Sequence, residues 1–207
     1  MTDLRSLTDL ERDALREVAN IGAGHAATAL SQMTSRKIMI SVPEVSIRRL
    51  EEVAELVGPA DSVIAGVLMH VMGDLTGRTL VVLGQDSAHA LCELLLRRPR
   101  SAGAAFDPME QSTIKETGNI LCSAYMNALS DFLGMMLVPS VPALVVDLAG
   151  AVLTTAYLNF GHDRDAVFCV ETRFRIEGSD QALTGQFLLM PDPPSLKAIF
   201  DAIRIRR

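Results

Sequence analysis

Asp13-Ala14-Leu15-Arg16-Glu17-Val18-Ala19-Asn20 has a second version in the same chain, Ser112-Thr113-Ile114-Lys115-Glu116-Thr117-Gly118-Asn119. Both contain Glu-x-x-Asn-Ile, at Glu17, Asn20 and Ile21 and again at Glu116, Asn119 and Ile120. Ala-Leu-Ser follows in each (Ala29-Leu30-Ser31; Ala128-Leu129-Ser130), then Ser-Val-Pro (Ser41-Val42-Pro43; Ser140-Val141-Pro142). The offset is 99 every time: 116 minus 17, 128 minus 29, 142 minus 43. A constant offset across separate matches marks an internal duplication.

Working outward, each copy opens with a helix. Thr8 and Glu11 form a T-x-x-E capping pattern. Asp107 and Glu110 repeat that signal, with Pro108 at the favoured first helical position. The pattern predicts helices from Thr8 to about Met33 and from Asp107 to about Phe132. Gly22 and Gly24 inside the first helix suggest close approach of another backbone. Extended stretches follow at Lys37 to Val42 and Met135 to Val141, and Glu51 to Val57 reads as a short helix. Ser62–Met72 and Gly77–Leu83 read as a hairpin, as do Ala166–Ile176 and Ala182–Met190. Leu-Thr-Gly marks both returning strands (Leu75-Thr76-Gly77; Leu183-Thr184-Gly185) at an offset of 108, so the second copy has gained nine residues. Helices at Ser87–Arg97 and Ser195–Ile205 close the copies, and Ala151–Phe160 has no partner in the first. The expected fold is α+β: two helix–strand–hairpin–helix repeats, about 7–98 and 106–205, with antiparallel strands and a pseudo-twofold axis in one domain spanning 1–207. Arg98 to Ala105 reads as the linker.

Bulk properties narrow the function classes. The chain has 207 residues, 49% hydrophobic, with net charge -6, which suits a globular protein with a sizeable core. No basic stripe of the kind nucleic-acid binders carry is visible. Arg97-Arg98-Pro99-Arg100 and the tail Arg204–Arg207 read as a solvated linker and a solvated tail. The charged first twenty residues do not resemble a signal peptide, and no uncharged apolar run reaches the roughly 18 residues of a membrane span. Cys92, Cys122 and Cys169 are odd in number and widely spaced, as expected of buried thiols in a reducing cytoplasm.

The chemistry concentrates on the repeated helix. Asp13, Glu17 and Asn20 fall within about 60° of one another around a helix, and Ser112, Glu116 and Asn119 share the corresponding face. Leu10, Ala14, Val18 and Ile21 form a neighbouring stripe expected to face the core. A solvated polar face would explain one copy; two copies in register, with the same downstream prolines Pro43 and Pro142, point to function. Glu can anchor a cation, and the Asn amide can orient a water without taking its proton. Orientation suits phosphoryl transfer, where catalysis is largely positioning and charge neutralisation. His25, His70, His89 and His162 are scattered, so no metal site is expected. Gly22-Ala23-Gly24-His25-Ala26-Ala27 matches G-x-G-x-x-A, but a dinucleotide fingerprint must follow a strand and open a helix, so helix packing is the better reading.

At these residues the chain resembles the CheC/CheX/FliY family of chemotaxis phosphatases, with the CheC type nearest in pattern. The family pattern, [Asp/Ser]-x3-Glu-x2-Asn-x22-Pro, fits Asp13, Glu17, Asn20 and Pro43, and fits Ser112, Glu116, Asn119 and Pro142. The resemblance covers nearly the whole chain. It implies a phosphatase acting on the aspartyl phosphate of the response regulator CheY. In such enzymes Glu pairs with a lysine of the regulator, Asn positions an in-line water, and the Mg2+ belongs to the regulator, so no intrinsic cofactor is implied. It implies the receptor deamidase CheD as a further partner. FliY-type members carry an additional flagellar-switch domain, for which this chain has no room, and CheX-type members have one working copy and dimerise. His25 stands where many relatives have Asn; helical spacing puts it on the apolar stripe, away from the chemistry.

The expectation is therefore a cytoplasmic, monomeric, two-site phosphatase. The alternative is an adapter binding CheD or the regulator without hydrolysis, and the intact Glu and Asn in both copies favour the enzyme. Ser112 is expected to make the second site the more active, because docking at the first would bury Asp13 as an unpaired carboxylate.

Overall fold

The computed structural model describes residues 8–41, 43–48, 52–53, 57–100, 105–158, 167–176 and 182–205. In chain order these form α1 (Asp9–Thr34), β1 (Ile38–Ile40), β2 (Glu44–Arg48), β3 (Val63–Gly73), β4 (Gly77–Gly84), α2 (Gln85–Leu96), α3 (Pro108–Leu133), β5 (Leu137–Pro139), β6 (Ala143–Leu148), α4 (Ala149–Leu158), β7 (Val167–Ile176), β8 (Ala182–Pro191) and α5 (Pro193–Ile205). This is the mixed helix and antiparallel-sheet class the sequence predicts. Of the expected helix at Glu51–Val57, residues 52, 53 and 57 are helical and the rest lie outside the described residues, as do 177–180 of the β7–β8 turn.

Both long helices start and stop for local reasons. The Asp107 side chain accepts hydrogen bonds from the Met109 and Glu110 amides, each at 2.9 Å, and the Glu110 carboxylate accepts from the Asp107 amide at 2.9 Å. That reciprocal box satisfies orphan donors at the N-terminus of α3. At the far end Gly134 turns left-handed (φ 68°) and donates its amide to the Ser130 carbonyl at 2.8 Å. Ser35, 99 residues earlier, makes the same left-handed turn (φ 53°) after α1. The duplication thus preserves the backbone geometry where the residue has changed.

The strands pair across the copies as well as within them. β1 and β2 both lie on β7, while β5 and β6 both lie on β3, all antiparallel. The centre of the sheet is the β4–β8 pair, giving the order β1/β2, β7, β8, β4, β3, β5/β6. Ile40 faces Phe174 and its counterpart Pro139 faces Val71; Glu44 faces Glu171 and its counterpart Ala143 faces Leu68. Both pairs of hairpin partners are 103 apart (174 minus 71, 171 minus 68), so the two outer seams have the same register. Leu80 and Leu188, 108 apart like the Leu-Thr-Gly motifs, sit directly opposite each other at the centre.

Strand periodicity splits the side chains between two cores. Val81 and Leu83 join Val67, Met69, Phe187 and Leu189 beneath α1, α2, α3 and α5. Leu80 and Val82 join Ile64, Leu188 and Met190 on the other face, under Val53 and α4. Burial on both faces explains why β3 and β4 read as continuous apolar runs. β2, β6 and α4, the last formed by much of the unassigned stretch Ala151–Phe160, are elements the sequence reading did not supply. The expected linker is not simply solvated at its start: Arg98 pairs with Asp107, and Arg100 with Asp86 at 3.7 Å.

α1 and α3 meet at Gly22. A Cβ there would lie 2.5 Å from Tyr125 Cδ1 and 3.1 Å from Tyr125 Cα. The Tyr125 ring cannot retreat, because it stacks on Phe187 of the sheet with centroids 4.7 Å apart. The backbone approach expected at this glycine is therefore real. At Gly24 it is not: an added Cβ would meet nothing within 4 Å, and φ is not left-handed. A glycine in a helix interior costs about 1 kcal/mol relative to alanine, and at position 24 nothing in the fold offsets that cost. Gly22→Ala is expected to destabilise the protein by about 1–3 kcal/mol through overpacking against Tyr125. Urea unfolding checks this, and an unchanged midpoint would refute the contact as the reason for the glycine.

Candidate functional site

Among the described residues, those buried on α1 are Leu15, Val18, Ala19, Gly22, Ala23, Ala26, Leu30 and Thr34. That stripe leaves Asp13, Glu17 and Asn20 on the exposed face. In α3, burial of Ile114, Thr117, Gly118, Leu121 and Tyr125 exposes Ser112 and Glu116, while Asn119 is half-buried. Gly118, between Glu116 and Asn119, seats α3 against the sheet: a Cβ there would come within 2.6 Å of Val67 Cβ. The structure thus brings each predicted trio onto one helix face. Pro43 is buried and Pro142 half-buried, each in the short connection between its copy's two outer strands.

The expected core stripe needs correcting. Val18 is buried and Ala14 packs partly against the core, but Leu10 is 62% and Ile21 40% exposed. Around the helix, Leu10 and Ile21 lie within about 40° of Glu17, so they flank it on the open face. In the second copy, Met109 stands at the position of Leu10 and is 59% exposed, while Ile120, at that of Ile21, is half-buried. These apolar residues escaped the sequence reading because periodicity reports apolar spacing and not which face is covered. Their recurrence at offset 99 was the signal available. His25 is also exposed, and not on a buried stripe.

Electrostatics distinguish the two sites. Asp13 accepts a hydrogen bond from the Arg16 guanidinium at 3.1 Å. The counterparts are Ser112 and Lys115, which cannot form that pair. Asp13 is thus not the unpaired carboxylate on which the expected ranking of the sites rested. Glu17, Asn20, Glu116 and Asn119 have no hydrogen bond or ion pair among the described residues, so their polar groups are open to a partner. At the N-terminal end of α3, His89 stacks on Phe106 at 4.2 Å, with its Nδ1 4.0 Å from Glu110 Oε1. That separation is too long for a hydrogen bond, and neither ring nitrogen has a partner among the described residues.

The cysteines are unsuited to nucleophilic work. Burial pushes Cys92 and Cys169 up to about 12 and Cys122 to about 11, from an ordinary 9.0. The carboxylates of Glu110 and Asp107 add to the effect at Cys92. Among the described residues no group of three or more His, Cys, Asp or Glu is placed to hold a metal ion. No described helix is long and apolar enough to cross a membrane. What each site offers is one carboxylate and one amide on a convex helix, rimmed by apolar side chains.

A CheC-like family model matches residues 10–47 and 109–146, the same helix and strands twice, again 99 apart. The CheY-P phosphatase CheC of Bacillus subtilis (strain 168) is 31% identical over 205 residues, covering 98% of both chains. The chain belongs to the CheC-like family. Its fold matches the crystal structure of Thermotoga maritima FliY with a TM-score of 0.76 at 22% identity, covering 98% of this chain and 100% of that one. It also matches a chain of the CheX–CheY–BeF3–Mg2+ complex from Borrelia burgdorferi, with a TM-score of 0.50 at 14% identity, covering 82% and 95%. The CheC-like match falls on both Glu-x-x-Asn helices, including the flanking positions Leu10 and Met109.

The raised thiols predict an alkaline limit to stability. Between about pH 9 and the folded values of 11 to 12, unfolded thiols ionise while folded ones stay protonated. The unfolded state then binds fewer protons, so stability falls as pH rises through that window and is unaffected by these groups below it. The native protein should resist a thiol reagent at pH 8 and react at all three cysteines once unfolded. Fast labelling of the native chain would show that they are not buried.

Proposed function

We propose that this CheC-like protein is a phosphatase that hydrolyses the aspartyl phosphate of a CheY-type response regulator. The observation that carries the reading is the pair of exposed Glu-x-x-Asn faces, repeated in register, whose polar groups make no bond among the described residues. The similarity to a protein named CheY-P phosphatase over nearly the whole chain supports the choice of substrate.

Glu17 or Glu116 pairs with a lysine of the regulator and fixes the orientation of docking. Asn20 or Asn119 then reaches the acyl phosphate and holds a water in line with the bond to the aspartyl oxygen. The water oxygen bonds to phosphorus as the phosphorus–aspartyl oxygen bond breaks. The aspartate leaves as a carboxylate, and the water's protons remain with inorganic phosphate and solvent. Mg2+ is held by the regulator, where it neutralises charge on the phosphoryl oxygens. The chain supplies position, worth about a hundredfold or more when geometry is lost by an ångström. Asp13, through Arg16, and Ser112 are positioning residues; Pro43 and Pro142 fix the connection between the two outer strands of each copy.

Phosphate release from a phosphorylated regulator tests the reading. E17A/N20A and E116A/N119A should each retain activity, while the fourfold variant should fall about a hundredfold or more. Death of either double variant alone would sink the two-site reading. A receptor deamidase of the CheD type is the second partner we propose. We place that binding away from the four residues, so the inactive fourfold variant should still capture the deamidase.

We further propose a cytoplasmic monomer with no metal of its own, since two active faces on one chain make a dimer unnecessary. The isolated protein should sediment as a monomer at micromolar concentration and keep no stoichiometric Mg2+ after dialysis. An obligate dimer, or retained metal at the Glu-x-x-Asn face, would count against it.

A further inference from the structure

Gly24 is unexplained by the fold. It sits in the interior of α1, is exposed, has no left-handed φ, and has open space where a Cβ would go. Its neighbour Gly22 has a structural reason in Tyr125; Gly24 has none. Its carbonyl accepts the Thr28 hydroxyl at 2.9 Å, a bond any residue at 24 could accept. By helical geometry Gly24 lies at an angle between Glu17 and Asn20, about 6 Å beyond Asn20 along the axis. The exposed ridge therefore reads, in order, Leu10, Glu17, Ile21, and then bare backbone.

We infer that Gly24 is the clearance in the first docking surface, the place where the backbone of the bound phosphorylated regulator comes closest to α1. The inference rests on the reading of Glu17 and Asn20 as one of the two phosphatase sites, and it adds a specificity-determining position to that site. Glycine is used where another backbone must approach closely, and among the described residues nothing comes within 4 Å of a Cβ added at 24. The face is continuous with Glu17 and Asn20, the residues proposed to meet the regulator, which makes the regulator the occupant. Leu10 and Ile21 on one side of the ridge give that partner apolar contact; the missing side chain at 24 leaves room for its backbone, so that it docks without a clash. In the second copy the same position is Ser123, also small, so a serine at 24 should be tolerated where a long side chain is not.

The test is made in the E116A/N119A protein, where only the first site can work. Gly24→Ala should raise the melting temperature by about 2–4 °C, because helix propensity improves and nothing is displaced. Gly24→Met should raise KM for the phosphorylated regulator about tenfold with kcat little changed, the signature of lost docking and intact chemistry. Gly24→Ser should stay close to the parent on both counts. Absence of activity in the E116A/N119A parent would overturn the first site and the inference with it. Activity in the parent with an unchanged KM in Gly24→Met would overturn the clearance alone. A lowered melting temperature in Gly24→Ala would show that Gly24 serves packing, and would also overturn it.

Discussion

Everything in this fold depends on an exchange of short strands between the two copies. β1 has three residues and β5 three; strands this short have no stability of their own. They exist because β7 and β3 offer them edges, and each edge belongs to the other copy. Without them β7 and β3 would present open rows of backbone donors and acceptors, the kind of edge that invites aggregation. The exchange also orients the functional helices. α1 runs through the left-handed turn at Ser35 into β1, so the helix carrying Glu17 is anchored by the hairpin of the second copy. α3 runs through Gly134 into β5 and is anchored by the hairpin of the first.

Much of this was legible, for identifiable reasons. The long helices and both hairpins carry strong local signals, the cap at Asp107 and extended apolar runs at Val63 and Leu80. The pairing of β2 with β7 and β6 with β3 has no local signature, since it joins segments more than seventy residues apart. The face of α1 was misread at Leu10 and Ile21 because half of its true buried stripe is small, Ala19, Gly22, Ala23 and Ala26. Small residues carry little hydrophobic signal, yet a close helix–helix contact demands them. The candidate sites were readable because the duplication singles out Glu17, Asn20, Glu116 and Asn119. The apolar rim was not, because a large apolar side chain beside a polar face looks like core until the other side of the helix is seen to be filled.

The duplication has diverged where symmetry would have been costly. An approximate twofold relation that brings position 22 to 125 also brings 26 to 121. The residues are Gly22 and Tyr125, Ala26 and Leu121, a small residue with a large one in each case. Two large residues would hold the helices apart, and two small ones would leave a void. The same divergence separates the outer faces. Asp13–Arg16 is an exposed ion pair worth at most about 1 kcal/mol, and its counterparts, Ser112 and Lys115, cannot form such a pair. The two faces thus present different charge patterns to a common partner while keeping Glu and Asn in place.

On either face, affinity and chemistry rest on different residues. A carboxylate as exposed as Glu17 is well hydrated, and its pairing with a lysine would contribute little until water is excluded around it. Leu10 or Met109, each well exposed, gains by leaving water: a fully buried side chain of this size is worth about 1.5–3 kcal/mol, and part of that is enough for about tenfold in affinity. Docking driven by the apolar rim would itself remove the water that weakens the ion pair. In the proposed mechanism, the carboxylate would then fix orientation in a drier setting, and the neighbouring amide would reach the phosphoryl group with its donor and acceptor unshared. A convex helix face can work in this way because the partner's surface would complete the cavity. Chemistry would then be confined to the docked complex, with the exposed apolar residues standing beside the residues proposed to position the water.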